Sequence, residues 1–281
     1  MSGPPTGLAR RGRRLSDRET EQRMLRAALG MVHRTGLTVS LEHISFEDVI
    51  RDADVSRSAA YRRWPHKDLF LSCLVKELAA HAAPEVLGRE LGLIRQIASE
   101  RADWLDTEDL RRGLVTELVR RLALLDFDAL YESPGWRTYL ALHATFLSIA
   151  DGELRDQVRA ALSESEHEHA ARIARGWEYL VTLVGYRLRP GLGLTFETVA
   201  TLAGATMRGL VLMALSMPRI ADFRTQASPF GAAASAEWSM PAMGLAALAS
   251  SFLEPDPAVE WDDERRARVR QALADPELPR S

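Results

Sequence analysis

The chain has 281 residues, 46% hydrophobic and 27% charged, a balance that excludes intrinsic disorder and fibrous repeats and leaves enough apolar mass for a full core. Its net charge of −3 is unevenly divided: residues 1–67 carry thirteen Lys or Arg against eight Asp or Glu, a net of +5, which leaves −8 on residues 68–281. A basic end and an acidic remainder suit a protein that places one end on phosphates, although a solvated basic tail has the same composition.

The amino end, Met1 to Arg14, is basic with Pro4-Pro5 but has no apolar segment behind it, so no secretory signal is expected and the chain reads as cytoplasmic. The longest uninterrupted apolar stretches, such as Gly209 to Met217, fall short of the roughly 20 residues that span a bilayer, and no membrane helix is expected. Cys73 is the lone cysteine, which excludes an intrachain disulfide and a multi-cysteine zinc finger; Leu71-Ser72-Cys73-Leu74-Val75 reads as helix interior.

Glycine, proline and a helical spacing of apolar residues punctuate the sequence, with almost no alternating pattern, so the predicted fold class is all-α. After a basic flexible arm (1–15), Ser16-Asp17-Arg18-Glu19 is a capping box opening a first helix with Leu25, Ala28, Leu29 and Val32 on its apolar face and a stop at Gly36. A second helix starts at Ser45 and shows Phe46, Val49, Ile50 and Ala53 at i, i+3, i+4, i+7. Only Asp54-Val55 separate it from Ser56, which can cap a third helix running through Tyr61 and Trp64 to the break at Pro65. A fourth helix, with Leu71, Leu74, Val75 and Leu78 as its stripe, ends before Pro84. Further helices are predicted near 85–104, 108–125, 135–151, 153–184 (with room for a break near Ser163), 196–217, 241–253 and 258–273. Pro218 to Pro241, with Ala232-Ala233-Ala234-Ser235, reads as a mobile loop.

Residues 16–66 therefore read as a three-helix, helix-turn-helix DNA-binding domain, and 67–281 as a larger helical ligand-binding and dimerisation domain. A recognition helix needs small residues inside and basic or polar ones outside. Residues 56–67 have that composition: Ala59 and Ala60 permit close approach, Trp64 anchors, and Arg57, Ser58, Arg62 and Arg63 can reach the groove. Tyr61, His66 and Lys67 suit phosphates, and Ser45 and Ser56, at the starts of the second and third helices, are counted with the DNA-binding residues. A guanidinium reads guanine bidentately, worth about 1 to 3 kcal/mol of discrimination, so base readout is assigned to the arginines.

The run from Asp54-Val55-Ser56-Arg57-Ser58 through Tyr61-Arg62-Arg63-Trp64-Pro65-His66-Lys67-Asp68-Leu69-Phe70 resembles the signature of TetR-like bacterial repressors, over about residues 16–78. The resemblance implies an all-helical homodimer whose carboxy-terminal domain binds a small molecule and then releases double-stranded operator DNA. It also implies that Tyr61 and Lys67 contact phosphate while the arginines of the third helix face the bases. Three positions depart from the pattern. Asp54 stands where glycine is usual, Ala59 replaces a threonine, and Ile50 replaces a small alanine; the connection Thr38 to Ile44 is also longer than usual. Asp54 is tolerable because Asp enters the left-handed region more readily than most residues.

In the remainder, the helices near 196–217 (Val199, Leu202, Ala203, Thr206, Leu210, Met213, Met217) and 241–253 (Gly244, Ala246, Ala247, Ala249, Ser250) are the candidates for a dimer interface, with plain intrachain core as the alternative. Two-fold symmetry would set two recognition helices about one DNA turn, or about 34 to 36 Å, apart. Trp136, Tyr139, His143 and Phe146, with Trp104, Trp177 and Met207, are candidate lining for a largely apolar effector; ordinary core packing explains them equally well. His167-Glu168-His169 places its imidazoles about 200° apart on a helix and reads as a solvated face, not a metal site. The phosphate-cradling glycine loop, the dinucleotide fingerprint and the nucleophile elbow are all missing, so neither enzyme activity nor a cofactor is expected. The competing reading is a helical small-molecule-binding or enzyme-like domain without specific DNA binding.

Overall fold

The computed structural model describes residues 15–35, 44–80 and 89–274, and within them the chain is predominantly helical, as the all-α reading requires. Contacts divide it into two units, residues 1–82 with 137–162, and residues 83–136 with 163–281.

The first unit begins with α1 (Asp17–Thr35), opened by the capping box: Glu19 N donates to Ser16 Oγ at 3.1 Å and Ser16 N donates to Glu19 Oε2 at 2.9 Å. Its buried stripe is Thr20, Met24, Ala28 and Val32, while Leu25 and Leu29, predicted to be inside, are only half-buried. The stripe has turned by one residue because α1 meets α2 (Phe46–Asp52), α3 (Arg57–Arg63) and α4 (Lys67–Ala80) together, and only its midline is fully enclosed. Gly36, the expected stop, lies outside the described residues, as do the arm's Arg10 to Arg14 and Pro84.

Ser45 Oγ accepts from Asp48 N and caps α2; Ser56 Oγ accepts from Ala59 N and caps α3. Between the two helices Asp54 takes φ = 51°, the left-handed conformation that the short turn demands and that Asp tolerates. On α4 the buried side is Phe70, Leu74, Val75 and Leu78, with Leu71 half-buried at the margin. Residues 137–162 complete this unit, and Lys76 Nζ donates to Gln157 Oε1 at 3.0 Å.

The second unit packs α5 (Arg89–Glu100) and a 3₁₀ turn (Ala102–Leu105) on α6 (Glu108–Glu132), which outruns its predicted end by a full two turns. In chain order α7 (Pro134–Ser148) and α8 (Glu153–Leu183) follow, with residues 137–148 of α7 and 153–162 of α8 belonging to the first unit and α8 unbroken through Ser163. Strand β1 (Tyr186–Leu188) leads to α9 (Phe196–Ala214) and the short α10 (Arg219–Asp222). The hairpin β2 (Arg224–Ala227) and β3 (Ala236–Ser239), α11 (Met240–Phe252), β4 (Leu253–Pro255) and α12 (Asp263–Ala274) complete the described chain. β1 pairs antiparallel with β4 in the register Arg187↔Glu254, and the core gathers Ile94, Ile97, Leu105, Leu114, Tyr186, Val269 and Leu273.

Two expectations are corrected here. The segment read as a mobile loop holds α10 and the β2–β3 hairpin, and it is clasped to α6: Thr116 Oγ1 donates to Phe230 O at 3.0 Å and Arg120 Nη1 donates to Glu237 O at 2.7 Å. Gly113 makes the clasp possible, because a Cβ there would stand 2.7 Å from the Ala233 Cβ. The alanine run that looked like linker is a small-residue contact. Secondly, Phe196–Ser216 is long and apolar enough to cross a membrane, where no such helix was expected. Interspersed Thr and Gly interrupt the apolar run without lowering its mean hydropathy much, a property that core helices share.

Asp126 on α6 is half-buried beside Glu90 of α5 and hydrogen-bonds it; desolvation, with the neighbouring carboxylate, pushes its carboxyl up to about 8. Burial raises Glu90 as well. The unfolded carboxyl ionises near 3.8, so as pH rises from there to about 8 the folded chain holds a proton that the unfolded chain has released. Stability is therefore greatest below that window and is lost progressively through it. Asp126→Asn should raise the melting temperature by roughly 3 °C or more at pH 8 and change it much less at pH 5. Calorimetric melts at the two pH values check this, and equal shifts at both would count against it.

Candidate nucleic-acid interface

Helix α3 has one closed side and one open side. Ala60 is fully buried and Trp64, just past the helix end, is 1% exposed. Trp64 Nε1 donates to Cys73 Sγ at 3.5 Å, and the indole meets Phe70 edge-on at 5.1 Å. Phe70 in turn lies 5.2 Å from Phe46, which meets the Tyr61 ring edge-on at 5.4 Å. One chain of rings thus ties α2, α3 and α4 together, and Cys73 serves packing, as its surroundings in the sequence suggested. Close stacking of this kind leaves α3 a single seating.

On the open side Arg57, Ser58, Tyr61, Arg62 and Arg63 are all exposed, and His66 follows at the start of α4. Lys67 is half-buried at the first position of that helix. The Ser45 and Ser56 hydroxyls are engaged as caps, with Ser56 Oγ also 3.3 Å from Ser58 Oγ. The two hydroxyls thus fix the starts of α2 and α3.

The carboxylates around α3 were not anticipated. Glu47 of α2 takes both Arg57 Nη2, at 2.7 Å, and the Tyr61 hydroxyl, at 2.9 Å. Arg62 Nη2 donates to Asp17 Oδ1 at 2.7 Å, and Arg63 Nη2 donates to Glu21 Oε2 at 3.1 Å, with its guanidinium 5.4 Å from the Trp64 ring centroid. Each arginine assigned to base readout therefore leans on an acid of α1 or α2. These ion pairs are solvent-exposed, Arg62 by 42% and Arg57 by 75%, and such pairs contribute about 0 to 1 kcal/mol. A bidentate arginine–guanine contact is worth about 1 to 3 kcal/mol, so duplex DNA can take these guanidiniums from their carboxylates. Sequence spacing could have shown the Asp17 and Glu21 pair as one helical face, but not that this face meets the end of α3.

The seven residues proposed to line an effector site are divided between the two units. Tyr139, His143 and Phe146 fall in the first unit and Trp104, Trp136, Trp177 and Met207 in the second. His143 Nδ1 lies 3.0 Å from Tyr139 O and its ring 4.2 Å from the Tyr139 ring; Phe146 carries the Arg155 guanidinium at 5.1 Å. Trp136 and Met207 are buried, Trp177 is half-buried, and Trp104 packs against the second unit's core. A cavity of about 240 Å³ lies elsewhere in that unit and touches none of the seven. His167 Nδ1 pairs with Glu197 at 2.8 Å, whereas His169, read as solvated, is half-buried with Nδ1 3.2 Å from Arg172 Nη2, and burial lowers its pKa.

No protein-family model matches the chain, and no curated protein matches it at a significant level.

The hydrogen bond to Glu47 is the main reason the Tyr61 phenol is held above its ordinary value. Glu47→Ala should return it towards that value, read from a tyrosine ring-carbon NMR titration with Tyr61 assigned by substitution. An unchanged Tyr61 titration would show that the two side chains do not meet in solution.

Proposed function

We propose that the chain is a cytoplasmic, DNA-binding transcriptional regulator of the TetR-like kind, a homodimeric repressor released from its operator by a small molecule. In this reading α2, the Asp54 turn and α3 are a helix-turn-helix unit, and α3 enters the major groove. The observation that carries it is the two-sided construction of α3: Ala60 and Trp64 locked inside, Arg57, Ser58, Tyr61, Arg62 and Arg63 presented outside. His66 and Lys67, at the start of the next helix, sit where a phosphate would meet backbone N–H groups and a positive dipole end. No catalytic role is assigned to any residue.

One observation favours the alternative, a helical ligand-binding or enzyme-like domain without specific DNA binding: all three α3 arginines already have carboxylate partners. Salt titration decides between them. A specific binder holds upstream DNA far more tightly than random DNA at the same salt, while an unspecific one loses both together as salt rises. Against a footprinted upstream site, Arg57→Ala and Arg63→Ala should each cost roughly 5- to 100-fold on that site and little on random duplex. Lys67→Ala should weaken both alike and flatten the salt slope by about one. Uniform losses from all three variants would refute this division of labour.

The dimer is supported by the outer face of α9. Val199, Ala203, Met207 and Val211 are buried within the unit, whereas Leu202, Leu212 and Met213 are 42 to 53% exposed, with Ala205 and Gly209 exposed between them. A second copy would cover that stripe. Leu212→Arg combined with Met213→Glu should convert the dimer into a monomer by light scattering while leaving helicity intact. A wild-type chain that runs as a monomer at micromolar concentration would remove the homodimer from this reading.

A further inference from the structure

We propose that the cavity walled by α5, the 3₁₀ turn, α6 and α12 is a binding site for a small organic carboxylate, whose charged end meets Arg95, Arg101 and Arg270 and whose apolar end meets Leu105, Leu114 and Leu273. The cavity has a volume of about 240 Å³, room for a compact monocarboxylate. Its character is divided. The three leucines are 1 to 2% exposed and belong to the unit's core, so one wall is dry hydrocarbon. The three arginines supply all its charge, for no Asp or Glu lines it.

The guanidiniums are also unequally provided for. Arg270 Nη2 has Asp106 Oδ1 at 3.3 Å, which Arg266 Nε shares at 3.9 Å, and Arg270 Nε has Ala102 O at 3.4 Å. Arg95 Nε donates to Leu91 O at 3.1 Å, a neutral acceptor. Arg101 is held with its guanidinium 4.8 Å over the Trp104 ring, and its Nε is buried with no acceptor. A guanidinium whose Nε is buried without an acceptor has a donor left over, and a carboxylate answers two guanidiniums at once through charge-assisted hydrogen bonds. The leucine wall is what distinguishes the ligand from inorganic phosphate, which has no apolar part to bury. Fixed guanidiniums on one side and hydrocarbon on the other select for charge and hydrophobic bulk together.

This proposal stands apart from the DNA reading, because ligand binding is measured without DNA. Titration calorimetry on the full chain uses benzoate and hexanoate as probes, benzamide and hexanamide as neutral counterparts, and inorganic phosphate as the bare anion. Benzoate or hexanoate should bind saturably, at least about tenfold more tightly than its amide and than phosphate. Arg101→Gln and, separately, Arg95→Met should each cut that affinity about tenfold without lowering helicity, so that one well-folded variant suffices. The proposal is overturned if neither carboxylate binds below about 10 mM, if the amides or phosphate bind equally well, or if both variants bind like wild type. A chain that binds benzoate yet ignores DNA keeps this site and loses the regulator reading; a chain that binds DNA but no carboxylate does the reverse.

Discussion

Everything presented by α3 depends on Trp64 being held under it. A seven-residue helix has too few internal hydrogen bonds to persist alone, and its placement is a packing problem. The indole, buried, edge-on to Phe70 and hydrogen-bonded to Cys73, settles the roll of the helix about its own axis. Because residues three or four apart share a face, fixing Ala60 and Trp64 inside turns Ser58 and Arg62 outward, while Arg57 is exposed because it stands at the first position of the helix. Removing a buried indole costs about 3 to 5 kcal/mol, far more than the exposed ion pairs around α3 supply, so the hydrocarbon contact orders the helix and the charges only decorate it.

Those charges have a further consequence. Four of the basic residues behind the net +5 of residues 1–67 are Arg10, Arg11, Arg13 and Arg14, so residues 15–67 carry nine Lys or Arg against eight Asp or Glu. The helical part is close to neutral, with its acids placed beside the guanidiniums of α3. Long-range attraction to a polyanion would then fall to the amino-terminal arm, and the paired arginines would be released only where a base edge or phosphate offers better geometry than Glu47, Asp17 or Glu21. Pairing of this sort lowers affinity for any duplex and leaves the difference between sequences intact, which favours discrimination over grip.

Much of the helical framework was legible because it is written locally. The capping box at Ser16, the caps at Ser45 and Ser56 and the left-handed Asp54 are set by residues within four positions of one another. What could not be read was set at long range. Leu25 yielded the centre of α1's face to Met24 because three helices converge there, and the Ala232–Ser235 stretch was taken for linker because its partner, Gly113, lies more than a hundred positions away. The carboxylate around each α3 arginine is likewise a tertiary fact. Aromatic residues on a periodic face look alike whether they wall a cavity or fill a core, and of the expected effector lining Trp136 and Met207 are buried.

The length of α9 leaves two occupants to consider for its exposed apolar stripe, lipid or protein. The helix is not free of charge: Arg208 makes a 2.6 Å ion pair with Glu166, both only about a quarter exposed, near the middle of its length. In a bilayer each buried charge would cost about 2.5 kcal/mol or more, and the partner acid sits on α8, whose sequence carries charges throughout and would have to enter the lipid with it. Against a second protein surface the same pair stays at its present depth and only Leu202, Ala205, Gly209, Leu212 and Met213 change environment. Small residues at 205 and 209 would let another helix approach closely while the leucines and methionine interdigitate, so the stripe is better matched to a protein surface, as in the dimer proposed above, than to hydrocarbon chains.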